Sequence, residues 1–173
     1  MAGSLIKIDE EIVTSAVASV TLTGIDSTYD VYKLIINGLS TDVDTLVTEI
    51  RVTKSGTPDT TSNYDEAAKQ LKAFAAFVNN SDTNATSWGL NNVGTNTNSA
   101  FNLTAYLFNF PNASEYSFVT FEENTADTSL NLRGKQGGGV HTVASASDGI
   151  NVFTSNGSGN INSGTFTLYG LKK

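Results

Sequence analysis

The most constraining stretch of this chain is Gly164-Thr165-Phe166-Thr167-Leu168-Tyr169-Gly170-Leu171-Lys172. Phe166 and Leu168 alternate with Thr165, Thr167 and Tyr169, the period of two expected of a strand with one buried face. Only one residue follows it, so this strand is expected to close a sheet. A counterpart stands near the start, Ser19-Val20-Thr21-Leu22-Thr23-Gly24-Ile25, with Val20 and Leu22 on one face. A domain bounded by two such strands reads as an all-β sandwich.

Further alternating segments support this. Residues 16–24 set Ala16, Ala18, Val20 and Leu22 on one face. Residues 30–38 set Tyr32, Leu34 and Ile36 against Val31 and Ile35, which predicts a central strand covered on both faces. Residues 45–54 place Leu46, Thr48, Ile50 and Val52 inward, and Val47, Glu49, Arg51 and Thr53 outward. Later strands are expected over 101–110, 116–122, 129–133, 139–144, 149–154 and 164–171. Eight or nine strands with Gly- and Asn-rich turns predict a jelly-roll-like antiparallel β-sandwich with at most one short helix.

That helix is expected over 65–78. The run from Asp65 to Val78 holds strong helix formers, with apolar residues at Ala67, Leu71, Phe74, Ala75 and Val78 and a cap at Asn63 or Asp65. Residues 79–99 form the longest polar region and read as a surface excursion with one short strand near Trp88.

At 173 residues the chain is long enough for one domain with one core. We expect an N-terminal arm over 1–15 and a sandwich over 16–173. Charged residues make up only 16%, so Ser, Thr, Asn and Gly must cover the surface. The formal net charge of −7 argues against nucleic acid, whose phosphates need Lys and Arg, and against anionic membranes. With no cysteine, neither disulfides nor thiolate metal sites are available. The start lacks a basic region followed by an apolar one, so synthesis in a cytoplasm without a signal peptide is expected. No apolar run approaches the roughly 20 residues of a membrane helix.

The motifs carry little chemistry. Gly134-Lys135-Gln136-Gly137-Gly138-Gly139 places its Lys before the glycines, unlike a phosphate-binding loop, and reads as a turn or bulge. His141, the only histidine, lacks a nucleophile-elbow partner and reads as structural or exposed. Asp42-Val43-Asp44 begins like a calcium loop, but Val47 and Thr53 stand where Gly and Glu are required. Asp65-Glu66 and Glu122-Glu123 are the candidate carboxylate pairs for glycoside hydrolysis, with solvated charges as the ordinary reading. Asn-X-Ser/Thr triplets at Asn79, Asn84, Asn102, Asn112 and Asn156 are what an Asn/Thr-rich composition produces. Trp88, the only tryptophan, either stands exposed, as a platform for a sugar or an anchor for a neighbouring subunit, or folds back to cap the sandwich. The apolar Leu5-Ile6-Lys7-Ile8 lies outside the sandwich pattern. Leu5, Ile6 and Ile8 are expected to dock on a partner subunit or pair as an added strand. No catalytic residue, metal ligand or cofactor is expected.

Several blocks resemble the short β-rich virion structural proteins of tailed bacteriophages, of the kind infecting cyanobacteria and other marine bacteria. They are Val20 to Tyr32, Tyr106-Leu107-Phe108-Asn109-Phe110, Ser114 to Thr120, Leu132 to Val140, and Gly164 to Lys172, in order across the domain. The resemblance implies a head decoration or cement protein, or a tail-fibre module. Its implied partners are the major capsid protein or other virion proteins, and further copies of the chain, a trimer being favoured. A host glycan is the alternative ligand. It also implies more ordinary strand sequence after Asn63-Tyr64-Asp65, against the helical propensities there.

Overall fold

In the computed structural model, which describes residues 4–96, 98–127, 129–155 and 159–171, the alternating segments become strands of two packed sheets. The strands are β1 (Leu5–Val13), β2 (Ser19–Thr23), β3 (Val31–Thr41), β4 (Leu46–Lys54), β5 (Thr57–Pro58), β6 (Tyr64–Lys72) and β7 (Val78–Ala85). They continue with β8 (Trp88–Val93), β9 (Phe101–Phe108), β10 (Ser117–Ala126), β11 (Leu132–His141), β12 (Gly149–Thr154) and β13 (Ile161–Leu171). The larger sheet runs β1-β13-β3-β9-β10-β11-β6-β7, and the smaller runs β2-β12-β4-β5, with β8 also on β4. Every named pairing is antiparallel. The fold is therefore an all-β sandwich, with thirteen strands among the described residues rather than eight or nine.

The inner faces follow the sequence pattern. Tyr32, Leu34 and Ile36 of β3, Phe101 and Leu103 of β9, and Phe166 and Leu168 of β13 are buried from the large sheet. Leu22 of β2, Ile50 and Val52 of β4, and Ile150 and Val152 of β12 meet them from the small sheet in one core cluster. β3 is central as expected, but its second face is only half-buried, because among the described residues no third layer covers the large sheet. Ala16 and Ala18 are exposed rather than inward, because β2 begins only at Ser19.

Three expectations require correction. Residues 65–78 form no helix: β6 and β7 make an antiparallel hairpin across them, with the turn at 73–77. Ladder hydrogen bonds to β11 on one side and β7 on the other override the helix propensities of the Ala-rich run. Second, the run Gly134 to Gly139 is no turn but the middle of β11, paired on both sides. The glycines there answer crowding. A Cβ at Gly139 would run into Trp88 Nε1, and one at Gly137 into the Ala67 carbonyl oxygen and Ala68. Third, residues 5–13 lie within the sandwich rather than outside it, as the added-strand alternative has it. They form β1, added to β13 at the margin of the large sheet, with a bulge between Lys7 and Asp9.

Candidate functional site

The two edge strands of the large sheet differ in what they offer. β1 carries Lys7, Asp9, Glu10 and Glu11 and is kinked by its bulge, features that blunt an edge against pairing. Leu5 and Ile6 are 43% and 39% exposed at its start, whereas Ile8 packs against the core. β7 carries one charge, Asp82, and its outer edge is unpaired.

The β6–β7 turn and the β10–β11 turn beside it gather exposed apolar side chains: Leu71, Phe74, Phe77, Val78, Leu130 and Leu132. The Ala73 amide donates to the Leu132 carbonyl at 3.2 Å and ties the two turns together. Cations interleave with the rings. The Lys69 ammonium lies 6.0 Å from the centre of the Phe77 ring, and the Arg133 guanidinium 5.4 Å from that of Phe74. Leu130 is held at a φ of 61°, a left-handed conformation that costs a bulky residue roughly 1–3 kcal/mol. A strained, exposed leucine thus shares this end of the sheet with exposed phenylalanines. The sequence hides this end because helical spacing groups Phe74 with Ala67, Leu71, Ala75 and Val78. Once the run is strand-turn-strand, Phe74 and Phe77 fall in the turn and face no interior.

Trp88 is not a ligand platform. It is 1% exposed, packs edge-on against Tyr64 with ring centres 5.1 Å apart, and lies 6.4 Å from Phe110. The indole caps the interior. His141 is likewise buried, tilted against Tyr64 at 4.8 Å, with Nε2 at 3.3 Å from Asp59 Oδ2. Burial, aided by the charge of Lys54, holds its pKa below the ordinary 6.5 against the pull of Asp59. Burial works to raise the Asp59 carboxyl, but Lys54 at 2.7 Å and the bonds from Thr61 outweigh it and keep it far below the usual range. This group fastens the 59–64 segment, with Tyr64 donating to the Asp59 carbonyl at 2.7 Å.

The carboxylate pairs of the sequence are split by the pleat. Glu122 faces outward, bonded at 2.7 Å by Gln136, while Glu123 points inward and is 5% exposed. Among the described residues no group of three or more His, Cys, Asp and Glu side chains is arranged to hold a metal.

The outer face of the large sheet carries a groove of about 500 Å³ lined by Asn37, Asn102, Thr104, Glu122, Asn124 and Gln136. A neighbouring one of about 410 Å³ is lined by Tyr106, Thr120 and Gly137. Compared with protein-family models and with curated proteins, the chain matches none.

Proposed function

We propose that this chain is a bacteriophage virion structural protein, a capsid decoration or cement protein that binds the particle surface in many copies. The observation that carries the reading is the apolar, cation-studded end of the large sheet on a molecule of net charge −7. Such a patch suits docking by burial, with Phe74 and Phe77 as anchors and Lys69 and Arg133 matching an acidic partner. The partners are the major capsid protein or another virion protein, together with further copies of the chain, a trimer being favoured. The Asn/Thr-rich remainder faces solvent. The resemblance of its sequence blocks to tailed-phage virion proteins supports this assignment.

Gold-conjugated antibody against the chain, applied to purified particles of the source phage, tests it. Dense label over the head is the expected result. Label confined to the tail or fibre tips would replace it with the second reading, and unlabelled particles would overturn both.

That second reading is a tail-fibre module that recognises a host-surface glycan. The smaller outer-face groove favours it, because Gln136, Thr104, Thr120 and Glu122 line it together with Tyr106, which is 38% exposed. Calorimetric titration with host-surface polysaccharide would show heat that Tyr106→Ala abolishes; no heat would remove this reading.

A further inference from the structure

Between β8 of the small sheet and β10, β11 and β6 of the large one, the interior turns polar. Glu123, Lys135 and Gln70 stand directly opposite one another across three adjacent strands, so their Cβ atoms are about 5 Å apart in succession on one face. Glu66 shares the inner face of β6 with Gln70, four residues away. Asn91 reaches this row from β8. The β4–β8 register shifts between Val47 and Glu49, leaving Leu90 and Asn91 together opposite Thr48. That bulge turns both side chains to the interior, where Asn91 is 2% exposed.

The contacts within the cluster are specific. Lys135 Nζ donates to Glu66 Oε1 at 2.7 Å and to the Gly89 carbonyl at 2.5 Å. Gln70 Nε2 donates to Asn91 Oδ1 at 2.6 Å. Asn91 also acts on the Glu123 carboxyl, so it engages both neighbours of Lys135 in the row. Burial pushes Glu123 up to about 8, partly offset by Lys135 and Asn91, so at neutral pH it is a carboxylic acid. The approach of Asn91 to Glu123 is loose: both Glu123 carboxyl oxygens and Asn91 Nδ2 are buried without a hydrogen bond of good geometry. Each group left so costs about 1–3 kcal/mol.

We propose that Lys135 and Asn91 react with each other to form an isopeptide bond that joins the two sheets. The inference does not rest on the virion reading. The Lys135 ammonium passes a proton to the Glu66 carboxylate. The free amine then attacks Asn91 Cγ, and the carbonyl electron pair moves onto Oδ1, where the Gln70 N–H stabilises it. Glu123 protonates Nδ2, and collapse of the tetrahedral carbon breaks the Cγ–Nδ2 bond and releases ammonia. The new amide nitrogen returns its surplus proton to Glu123. Ammonia takes the proton held on Glu66 and leaves as ammonium. Nothing is oxidised or reduced, and no co-reactant is needed. Positioning within a dry interior does the work, and a single turnover per chain tolerates a slow step. The product removes the buried positive charge and the orphan amide nitrogen together. It staples a chain that has no cysteine.

Intact-mass measurement of the denatured full-length protein tests the proposal. Allowing for the first methionine, the expected mass lies about 17 Da, one ammonia, below that of the sequence. Proteolysis should yield the Asn91 and Lys135 peptides as one branched species. Lys135→Arg should restore the full sequence mass, and Glu123→Gln should leave an unreacted fraction. A wild-type protein at full mass overturns the proposal, as does a loss that persists in Lys135→Arg, or one of about 18 Da, which would be water lost in joining Lys135 to Glu66. Should Lys135→Arg not fold, the wild-type peptide map decides: separate Asn91 and Lys135 peptides overturn the bond.

Discussion

The interior of the sandwich has two unlike halves. Where β13, β3 and β9 face β2 and β12, it is closed by Phe166, Leu168, Leu34, Ile36, Leu22 and Val152, all but sealed from water. Where β10, β11 and β6 face β8, Glu66, Gln70, Asn91, Glu123 and Lys135 take the equivalent inward positions. Both halves use the same pleat and the same ladder, so the backbone does not require the difference. The apolar half supplies stability by removing surface from water. The polar half costs stability, and a fold keeps such groups for specificity or chemistry.

The largest expected effect falls in the apolar half. Phe166→Ala should cost about 3–5 kcal/mol in a denaturant melt, because a fully buried ring leaves a cavity behind. A loss under about 1 kcal/mol would mean that the core relaxes freely, and would erase the contrast drawn here.

In the polar half, single and paired changes should diverge. Glu66→Leu removes the group that takes the Lys135 proton, so it should leave an unreacted ammonium stranded in the interior and cost about 3 kcal/mol or more. Adding Lys135→Met should recover the share due to the stranded charge, since hydrophobic replacement of a buried ion pair is often neutral or better, but not the share due to the missing bond. A double variant as weak as the single would show that the bond and the packing, rather than the buried charge, govern this half.

Next in size is the dependence on pH. Glu123 keeps its proton up to about pH 8 when folded but releases it near its ordinary value of 4.5 when unfolded. Across that window the folded chain binds more protons, so stability should fall as pH rises, and level off above it. His141 acts in the opposite sense. Its folded pKa is depressed, so the unfolded chain gains protons below about 6.5 and stability falls on acidification. Asp59 adds to that acid limb at lower pH, where the stabilisation of its carboxylate is lost. Thermal melts across pH should therefore show a maximum between the two limbs. Glu123→Gln should flatten the alkaline limb alone, and an unchanged limb would remove Glu123 as its source.

The apolar half was legible in the sequence because alternation writes it there. Tyr32-Leu34-Ile36, Leu46 to Val52 and Phe166-Leu168 sit on the faces that their spacing assigned. The polar half was not legible. Its residues are scattered from position 66 to 135, and only the register of four strands and one bulge brings them together. Local signals there pointed elsewhere. Ala67 and Ala68 read as helix, yet small residues are what the close approach of Gly137 requires. The glycines of β11 read as a turn, yet Gly139 stays extended and makes room for Trp88. In β7, Val78-Asn79-Asn80-Ser81-Asp82-Thr83-Asn84-Ala85 has no strand signature at all, because an edge strand beside solvent needs no apolar face.

The exposed end of the large sheet should give the smallest effect on stability and the sharpest separation of stability from function. Phe74 and Phe77 are 46% and 58% exposed, so the paired change Phe74→Ser with Phe77→Ser removes little buried area. It should shift stability by no more than about 0.5 kcal/mol per site. If that end is the docking surface, the same variant should lose attachment to particles in a co-sedimentation assay, because the anchoring rings are gone. Full attachment by a variant lacking both rings would move the contact surface elsewhere, with the β1 edge and its exposed Leu5, Ile6 and Ile12 as the next place to cut.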